Sequence, residues 1–261
     1  DPDNGSGTDY TSLSAWEAGE QGNLTGVRDE IAVATCRCTG GTADTTSVTI
    51  AGWTTDSTRY IKIWTDPSES YRHNGTYQTG NKYRLEITPN SDYDRAIYID
   101  NAVNLIIAGI QFNLHWSGSG GGYWHCDPIA DSYASATVVV RECIFRQTGS
   151  PTAWDGHSFG ILARSTYYIL NCIFYGYRGG TSDPNYSGGI TSDNGTQYVY
   201  NCTFYDCRYG INTTATVYAR NCLTASCTDG FNGANTSYCA TDLAEGLSGT
   251  GDRNSQTFSF V

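Results

Sequence analysis

Tryptophan, histidine and aspartate residues gather in the middle of the chain, and these side chains are the ones best suited to bind a sugar. The candidate carbohydrate-binding residues are Trp116, Trp124, Asp127, Trp154, Asp155 and His157. Aromatic rings present large apolar faces against which sugar rings pack, and a pair of carboxylates at the right separation hydrolyses a glycosidic bond. The alternative is a set of surface loops whose aromatic side chains pack on one another.

No other motif predicts catalysis or a bound cofactor. The glycine-rich stretch from Ser117 to Gly122 lacks the Lys-Ser/Thr pair of a phosphate-binding loop. The cysteine pairs have no histidine at the spacing of a zinc site. We therefore predict no catalytic residue, no metal and no cofactor, and the sequence favours a non-enzymatic protein.

Charge and composition restrict the partners. The net charge is −11, with 15 Lys and Arg against 26 Asp and Glu, whereas nucleic-acid binding requires clustered basic residues. An anionic membrane surface is disfavoured for the same reason, and no apolar stretch of about 18 residues is present to span a bilayer. The remaining partners are a second copy of the chain and a polysaccharide.

Ten cysteines and many sequons favour an extracellular location, at a cell or virion surface. Asn-x-Ser/Thr occurs at eight positions, about twice the number expected by chance from composition. Five of them are our candidate glycosylation sites: Asn23, Asn74, Asn185, Asn194 and Asn235. Because the chain begins with Asp1, we expect either a removed leader or a fragment of a longer protein.

An internal repeat predicts the architecture. Residues 201–212 and 221–232 both fit N-C-x4-C-x2-G-[IF]-N, at an offset of twenty residues, and weaker copies begin at Asn171 and Glu142. A period near twenty with short β-type runs is the size of one solenoid coil. Glycine and asparagine between the runs suit corners with positive φ.

Equivalent residues of successive coils stack inside a solenoid, which gives the cysteines a role. We expect Cys202 over Cys222, Cys207 over Cys227 and Phe174 over Phe204. The core cysteines are Cys143, Cys172, Cys202, Cys207, Cys222 and Cys227. They form either an apolar ladder or disulfides between coils, since residues five apart on one strand are too distant to bridge.

The remaining segments complete a single domain, 1–261. It divides into an N-terminal cap region (1–29), N-terminal coils (30–112), coils with insertions (113–232) and a C-terminal segment (233–261). The cap contains a predicted helix, Leu13–Gly19, with Ser14 and Glu17 as a capping box. Insertions at the same place in three successive coils are expected to share one corner. The alternation in Thr257–Val261 predicts a strand.

The N-C-x-F coils and the segment DYTSLSAWEA (9–18) resemble right-handed parallel β-helix proteins of the pectin-lyase-like superfamily. Within it, the chain is most similar to uncharacterised secreted or phage-associated members from environmental sequence. The resemblance implies an all-β fold: a single-stranded, right-handed parallel β-helix with a short N-terminal capping helix. The superfamily includes polysaccharide lyases and hydrolases, tailspikes, adhesins and structural proteins, so the fold leaves the function open.

Two functions follow as hypotheses. The first is an extracellular structural or adhesive protein, with copies self-associating head to tail or laterally into a fibre or surface layer. The second is a polysaccharide-binding or polysaccharide-degrading β-helix. Of the superfamily's polygalacturonase-like catalytic pattern only Gly156-His157-Ser158 is present, without the double aspartate, which favours the first.

Overall fold

A computed structural model describes residues 1–117, 125–132, 135–149, 157–179, 186–244 and 247–259. Within these ranges the chain contains one α-helix, α1 (Leu13–Glu20), one short π-helical segment (Leu24–Arg28) and strands arranged in three parallel sheets. Neither helical segment of this part of the chain has the length and apolar character that a membrane-spanning helix requires.

Each of the three sheets is built from strands that follow one another along the solenoid axis. Sheet 1 has eight described strands: β1 (Ala32–Thr35), β3 (Ile61–Trp64), β6 (Asn104–Ala108), β9 (Thr137–Arg141), β12 (Thr166–Leu170), β15 (Thr196–Tyr200), β18 (Thr216–Arg220) and β21 (Asn235–Ser237). Sheet 2 has seven: β4 (Arg84–Ile87), β7 (Gln111–His115), β10 (Ile144–Thr148), β13 (Ile173–Tyr175), β16 (Thr203–Tyr205), β19 (Leu223–Ala225) and β22 (Ala240–Thr241). Sheet 3 has seven: β2 (Val48–Ile50), β5 (Arg95–Ile99), β8 (Asp127–Asp131), β11 (Ser158–Ala163), β14 (Ser187–Ser192), β17 (Tyr209–Thr213) and β20 (Asp229–Asn232).

The chain visits sheets 1, 2 and 3 in turn and then returns to sheet 1, so each circuit is one coil. In the first coil the place of a sheet 2 strand is taken by an isolated parallel bridge between Asp44 and Leu85. Every strand pairs in register with its equivalent in the next coil. The prediction of an all-β, right-handed parallel β-helix with a short N-terminal helix is confirmed.

The corner between sheets 1 and 2 explains the Asn-Cys motif. Asn171, Asn201 and Asn221 occupy the left-handed region, with φ of 53°, 56° and 51°. Asparagine tolerates this conformation better than most L-residues. The next residue points inward and is buried, and it is cysteine in these coils and Ile110, after Gly109, in an earlier one. One left-handed residue followed by one buried apolar residue therefore turns the chain at this corner.

Aromatic stacking fills the interior beside sheet 2. The rings of Phe112, Phe145, Phe174 and Phe204 stack at centroid distances of 4.7, 4.6 and 5.0 Å and are fully buried. Each such side chain contributes on the order of 1.5–3 kcal/mol by leaving water. The predicted stacking of Phe174 over Phe204 is confirmed.

The glycine that precedes isoleucine or phenylalanine in the repeat lies within a strand, and not at a corner with positive φ as expected. Gly160, Gly189 and Gly210 lie inside strands of sheet 3 and do not have positive φ. A Cβ on Gly189 would lie 2.5 Å from Cδ1 of Phe204 and 2.8 Å from the carbonyl oxygen of Gly210. The glycines are needed because the phenylalanine column approaches the backbone, not because the chain turns there.

All ten cysteines are buried free thiols. Five of them occupy equivalent positions of successive coils at the corner between sheets 1 and 2 and form a ladder in which each thiol donates to main-chain carbonyl oxygens: Cys143, Cys172, Cys202, Cys222 and Cys239. Cys207 and Cys227 form a second, two-membered ladder at the corner between sheets 2 and 3. Of the two alternatives, the structure contains the ladder and not the disulfide set.

The N-terminal helix packs on β2, at the first end of the solenoid, as expected. The predicted capping box is wrong in detail. Ser12 is the N-cap, and its side chain accepts a hydrogen bond from the amide of Ala15. Glu17 is buried, and its Oε1 accepts from the amide of Ala51 (3.0 Å) and from Nε1 of Trp53 (3.1 Å). The carboxylate therefore joins the helix to the first coil instead of capping it.

The last coil is partly covered by residues 247–259. The amide of Arg253 donates to the carbonyl of Cys239, and the amide of Thr241 donates to the carbonyl of Arg253, which makes an isolated bridge beyond β22. Leu247 packs against the core. The strand predicted for Thr257–Val261 is not found in its described part, 257–259, and residues 260 and 261 lie outside the described ranges.

Candidate functional site

The three insertions share one corner, as expected, between sheets 2 and 3. They follow β7, β10 and β13, which are neighbours in sheet 2, and they precede β8, β11 and β14, which are neighbours in sheet 3. Trp124, Trp154 and Asp155 lie outside the described residues. We call this region the insertion corner and define it by the described residues Tyr93, His125, Asp127, His157 and Tyr186.

The described members of the predicted carbohydrate site are buried. Asp127 has no exposed surface, and Trp116 and His157 are each only 5% exposed. These three side chains therefore lie beneath the surface of the insertion corner, where they support it.

Asp127 is the most unusual of them, because its carboxyl group is buried and only one of its two oxygens accepts a hydrogen bond from the described residues. Oδ1 accepts a hydrogen bond from the amide of Phe159 at 2.8 Å, and Oδ2 has no partner among the described residues. Arg95 occupies the equivalent position on β5. Burial raises the pKa of Asp127 to about 7, against the lowering effects of the Phe159 amide and of Arg95. The carboxyl group therefore titrates near neutral pH.

Sequence reasoning missed a buried polar pair on the strands that neighbour Asp127. Gln147 and Ser158 are buried, and the Ser158 hydroxyl donates to Oε1 of Gln147 at 2.6 Å. Ser158 lies on the strand that follows Asp127 in sheet 3, opposite Ser187. Their signal in the sequence is weak, since serine and glutamine are usually exposed.

An aromatic column runs along the solenoid axis at the insertion corner. His157 stacks on Tyr186 at 4.3 Å, His125 meets His157 edge-on at 5.2 Å, and Tyr93 stacks on His125 at 6.0 Å. Burial lowers the pKa of His125 to about 4, assisted by the nearby His157. The column is exposed at its ends, with Tyr93 54% and Tyr186 47% accessible. It offers two phenol rings to a ligand and keeps the His125 imidazole neutral.

A second site, which the sequence did not predict, is the free edge of β1. This strand is the first of sheet 1 and pairs only with β3. The amide of Ala32 donates to the carbonyl of Tyr60 and the amide of Cys36 to that of Trp64, so the intervening Val33 and Thr35 point their main-chain groups away from the sheet. No hydrogen bond of the described chain uses the main-chain N–H or C=O of Val33 or Thr35.

A groove of about 610 Å³ runs along this edge. Its floor contains the buried side chains of Leu13, Trp16 and Tyr83. The far wall is formed by residues 7–10 and by Glu20 of α1. We call this feature the β1 groove; it combines an apolar floor with an open hydrogen-bonding edge.

Two arginines at the rim of the β1 groove form ion pairs. Arg28 contacts Glu20 at 3.1 Å and also Glu30, and Arg37 forms an ion pair with Glu69. Because these pairs are partly exposed, they contribute little stability, but they balance the charges at the rim. Asp1, Asp9 and Asp44 also line the groove.

Four of the five predicted glycosylation sites are described, and they lie at least partly at the surface: Asn23, Asn74, Asn194 and Asn235. Asn185 lies outside the described ranges. Oδ1 of Asn74 accepts a hydrogen bond from Oγ1 of Thr76 at 2.8 Å, and no described hydrogen bond uses its Nδ2. The nitrogen that would carry a glycan at Asn74 is thus not engaged within the described chain.

Metal ligands do not converge in the described chain: no group of three or more His, Cys, Asp or Glu side chains there could hold an ion. No protein-family model matches the chain, and no curated protein sequence matches it. Among solved structures, the chain is similar to a deglycosylated pectin methylesterase from Aspergillus niger, with 12% identity and a TM-score of 0.48. The match covers 98% of this chain and 89% of that one. A similarity at this level says nothing about activity.

Proposed function

We propose that this protein is an extracellular structural β-helix protein whose copies associate end to end. The observation that carries the proposal is the free edge of β1. Its sequence, Ala-Val-Ala-Thr, contains no charge and no proline. Proteins that remain monomeric usually protect an edge strand with such residues, because an open edge pairs with any available strand.

The neighbouring sheets support the proposal by contrast, because their first strands are covered. In sheet 3, α1 packs against β2, and Glu17 holds the amide of Ala51. In sheet 2, the bridge at Asp44 lies beside β4, and Oδ2 of Asp44 accepts from the amide of Leu13 at 2.7 Å. The cap region thus closes two sheets and leaves the third open.

Exposed apolar side chains beside the edge also favour an interface. Ile31 and Val33 are 41% and 44% exposed. An interface between one end of a solenoid and another part of a second copy is heterologous, and such contacts propagate into open chains. A structural or adhesive role at a cell or virion surface is consistent with this geometry and with the sequons.

Sedimentation velocity over a hundredfold range of protein concentration tests the proposal. We expect the wild type to form larger species as concentration rises, and Val33→Pro to remain monomeric because proline removes the free N–H. The matched control is Val33→Ala, which keeps the N–H and should still assemble. A wild type that stays monomeric throughout would contradict the proposal.

A second candidate function is polysaccharide binding at the insertion corner. The exposed rings of Tyr93 and Tyr186, at the ends of the aromatic column, favour it. A glycan array with the wild type and Tyr186→Ala tests this candidate. Binding that is lost in the variant would support it, and the absence of binding to acidic and neutral polysaccharides would contradict it.

A further inference from the structure

Three tyrosines form a row on the outer face of sheet 1. Tyr168 on β12, Tyr198 on β15 and Tyr218 on β18 occupy the same position of successive coils and pair in register. Their side chains alternate with buried ones along each strand, and Tyr168 and Tyr218 are 37% and 38% exposed. We call these three residues the tyrosine row. We propose that it is a site of oxidative crosslinking, at which neighbouring phenol rings are joined into dityrosine.

The stacking of the coils holds the rings of the tyrosine row against one another. The ring centroids of Tyr168 and Tyr198 are 4.9 Å apart with an interplanar angle of 11°, and those of Tyr198 and Tyr218 are 5.7 Å apart at 18°. Both separations lie within the range of about 4.5–7 Å that is typical of stacked aromatic pairs. Because hydrogen bonds fix the distance between paired strands at about 4.8 Å, the rings come into contact without any change of the backbone.

The tyrosine row contains both stacked pairs of tyrosine rings found among the described residues. Val139 precedes Tyr168 in the same column and Asn235 follows Tyr218, and neither side chain forms a phenoxyl radical. The buried phenylalanine column beside sheet 2 has similar stacking distances but has no hydroxyl group and no exposed surface. Of these two stacked columns, only the tyrosine row is both oxidisable and accessible.

The crosslinking reaction needs a one-electron oxidant, and the proposal names a peroxidase with hydrogen peroxide. The peroxidase removes the hydroxyl hydrogen from each of two phenols. The two phenoxyl radicals then form one bond between ring carbons that lie ortho to the oxygens, and the hydrogens of these two carbons move to the oxygens. Two tyrosines and one hydrogen peroxide thus give one dityrosine and two water molecules.

A crosslink in the tyrosine row joins two coils that are otherwise held together by non-covalent contacts. In the unfolded chain the new bond closes the loop between Tyr168 and Tyr198, which lowers the conformational entropy of that state and stabilises the folded one. The row occupies the fifth, sixth and seventh strands of sheet 1, counted from β1. The inference therefore does not depend on an association through the β1 groove.

Peroxidase treatment of the full chain, at a protein concentration low enough to keep it monomeric, tests the inference. Dityrosine is measured by its fluorescence, and mass spectrometry after proteolysis identifies the joined peptides. We expect a product that migrates as a single chain and contains Tyr198 in the joined peptides. Tyr198→Phe should lose most of the dityrosine, because Tyr198 belongs to both stacked pairs. Tyr168→Phe should lose more than Tyr218→Phe, since it removes the closer pair.

The matched control is Tyr200→Phe. Tyr200 lies on the same strand as Tyr198 but meets its ring edge-on, at 6.4 Å and 64°, so this replacement should leave the yield of dityrosine unchanged. Circular dichroism checks that each variant folds. A wild type that forms no dityrosine within one chain would overturn the inference, and so would an equal yield in Tyr198→Phe or joined peptides that lack Tyr198. None of these outcomes bears on the end-to-end association.

Discussion

Replacing Asp127 by asparagine should change how stability depends on pH. The folded state holds the pKa of Asp127 at about 7, whereas an unperturbed carboxyl group titrates at 3.8. Folding therefore takes up a proton between these values, and the wild type loses stability as pH rises from about 4 to about 7. A difference of about three pKa units corresponds to about 4 kcal/mol.

Asparagine has the same shape as aspartate and carries no charge, so the stability of the variant lacks this dependence on pH. It leaves a buried amide without a partner where Oδ2 now lies, which costs about 1–3 kcal/mol at every pH. We expect Asp127→Asn to be less stable than the wild type at pH 4.5, and we expect its free energy of unfolding to rise relative to that of the wild type by about 3 kcal/mol between pH 4.5 and pH 8. Urea unfolding at several pH values measures the difference.

The control is Asp56→Asn, for which the dependence of stability on pH should have the opposite sign. Hydrogen bonds from the Thr58 hydroxyl and amide, and from Arg59, lower the pKa of Asp56 to about 2. That carboxylate stabilises the fold above pH 4, so its replacement should cost more at pH 8 than at low pH. A constant difference between Asp127→Asn and the wild type from pH 4.5 to pH 8 would refute the burial of a titrating carboxyl group.

Four further predictions concern the coils and their surface. Gly189→Ala should destabilise the fold by about 1–3 kcal/mol in urea unfolding, because the new methyl group collides with Phe204; a neutral effect would contradict the packing. Asn201→Ala should cost about 1 kcal/mol and Asn201→Gly much less, since the residue has φ of 56°; equal costs would argue against the left-handed corner. A thiol reagent should react with the native protein slowly and with the urea-unfolded protein at all ten cysteines; rapid labelling in the native state would contradict the buried ladders. Secretion from a eukaryotic cell should add a glycan at Asn74 that mass spectrometry detects and Asn74→Gln lacks; an unmodified asparagine there would contradict the prediction.

The coil architecture was predictable because every coil solves the same steric problem. The corner between sheets 1 and 2 needs one left-handed residue and one inward apolar residue, and Asn-Cys supplies both at Asn171, Asn201 and Asn221. A repeated local requirement leaves a repeated sequence. The register of Phe174 with Phe204 follows from the same repeat.

Other features depend on contacts between distant segments, which the repeat does not encode. The role of Gly189 depends on the ring of Phe204, which approaches it across the interior of the coil. Glu17 looked like a capping residue by its spacing, yet its carboxylate binds Ala51 and Trp53 on the first coil. In both cases tertiary contacts decided the role of a residue whose local sequence favoured another one.

The candidate sites were predictable only in part. The insertion corner was predictable because the three insertions occur at the same place in successive coils, and stacked coils bring equivalent connections together. Burial of Asp127 was not predictable, since an aspartate in a loop-like stretch is usually exposed. The β1 groove was not predictable either: whether an edge strand is open depends on what the cap region covers, and Val33 looks like any other strand residue in the sequence.

Negative-stain electron microscopy of the wild type at high concentration tests the end-to-end association most directly. The eight described strands of sheet 1 span about 34 Å along the axis, and the cap region and residues 247–259 add to this length. We expect unbranched filaments with an axial repeat of at least about 34 Å per copy, which Val33→Pro does not form. Isolated particles at every concentration, or filaments that Val33→Pro forms equally well, would contradict it.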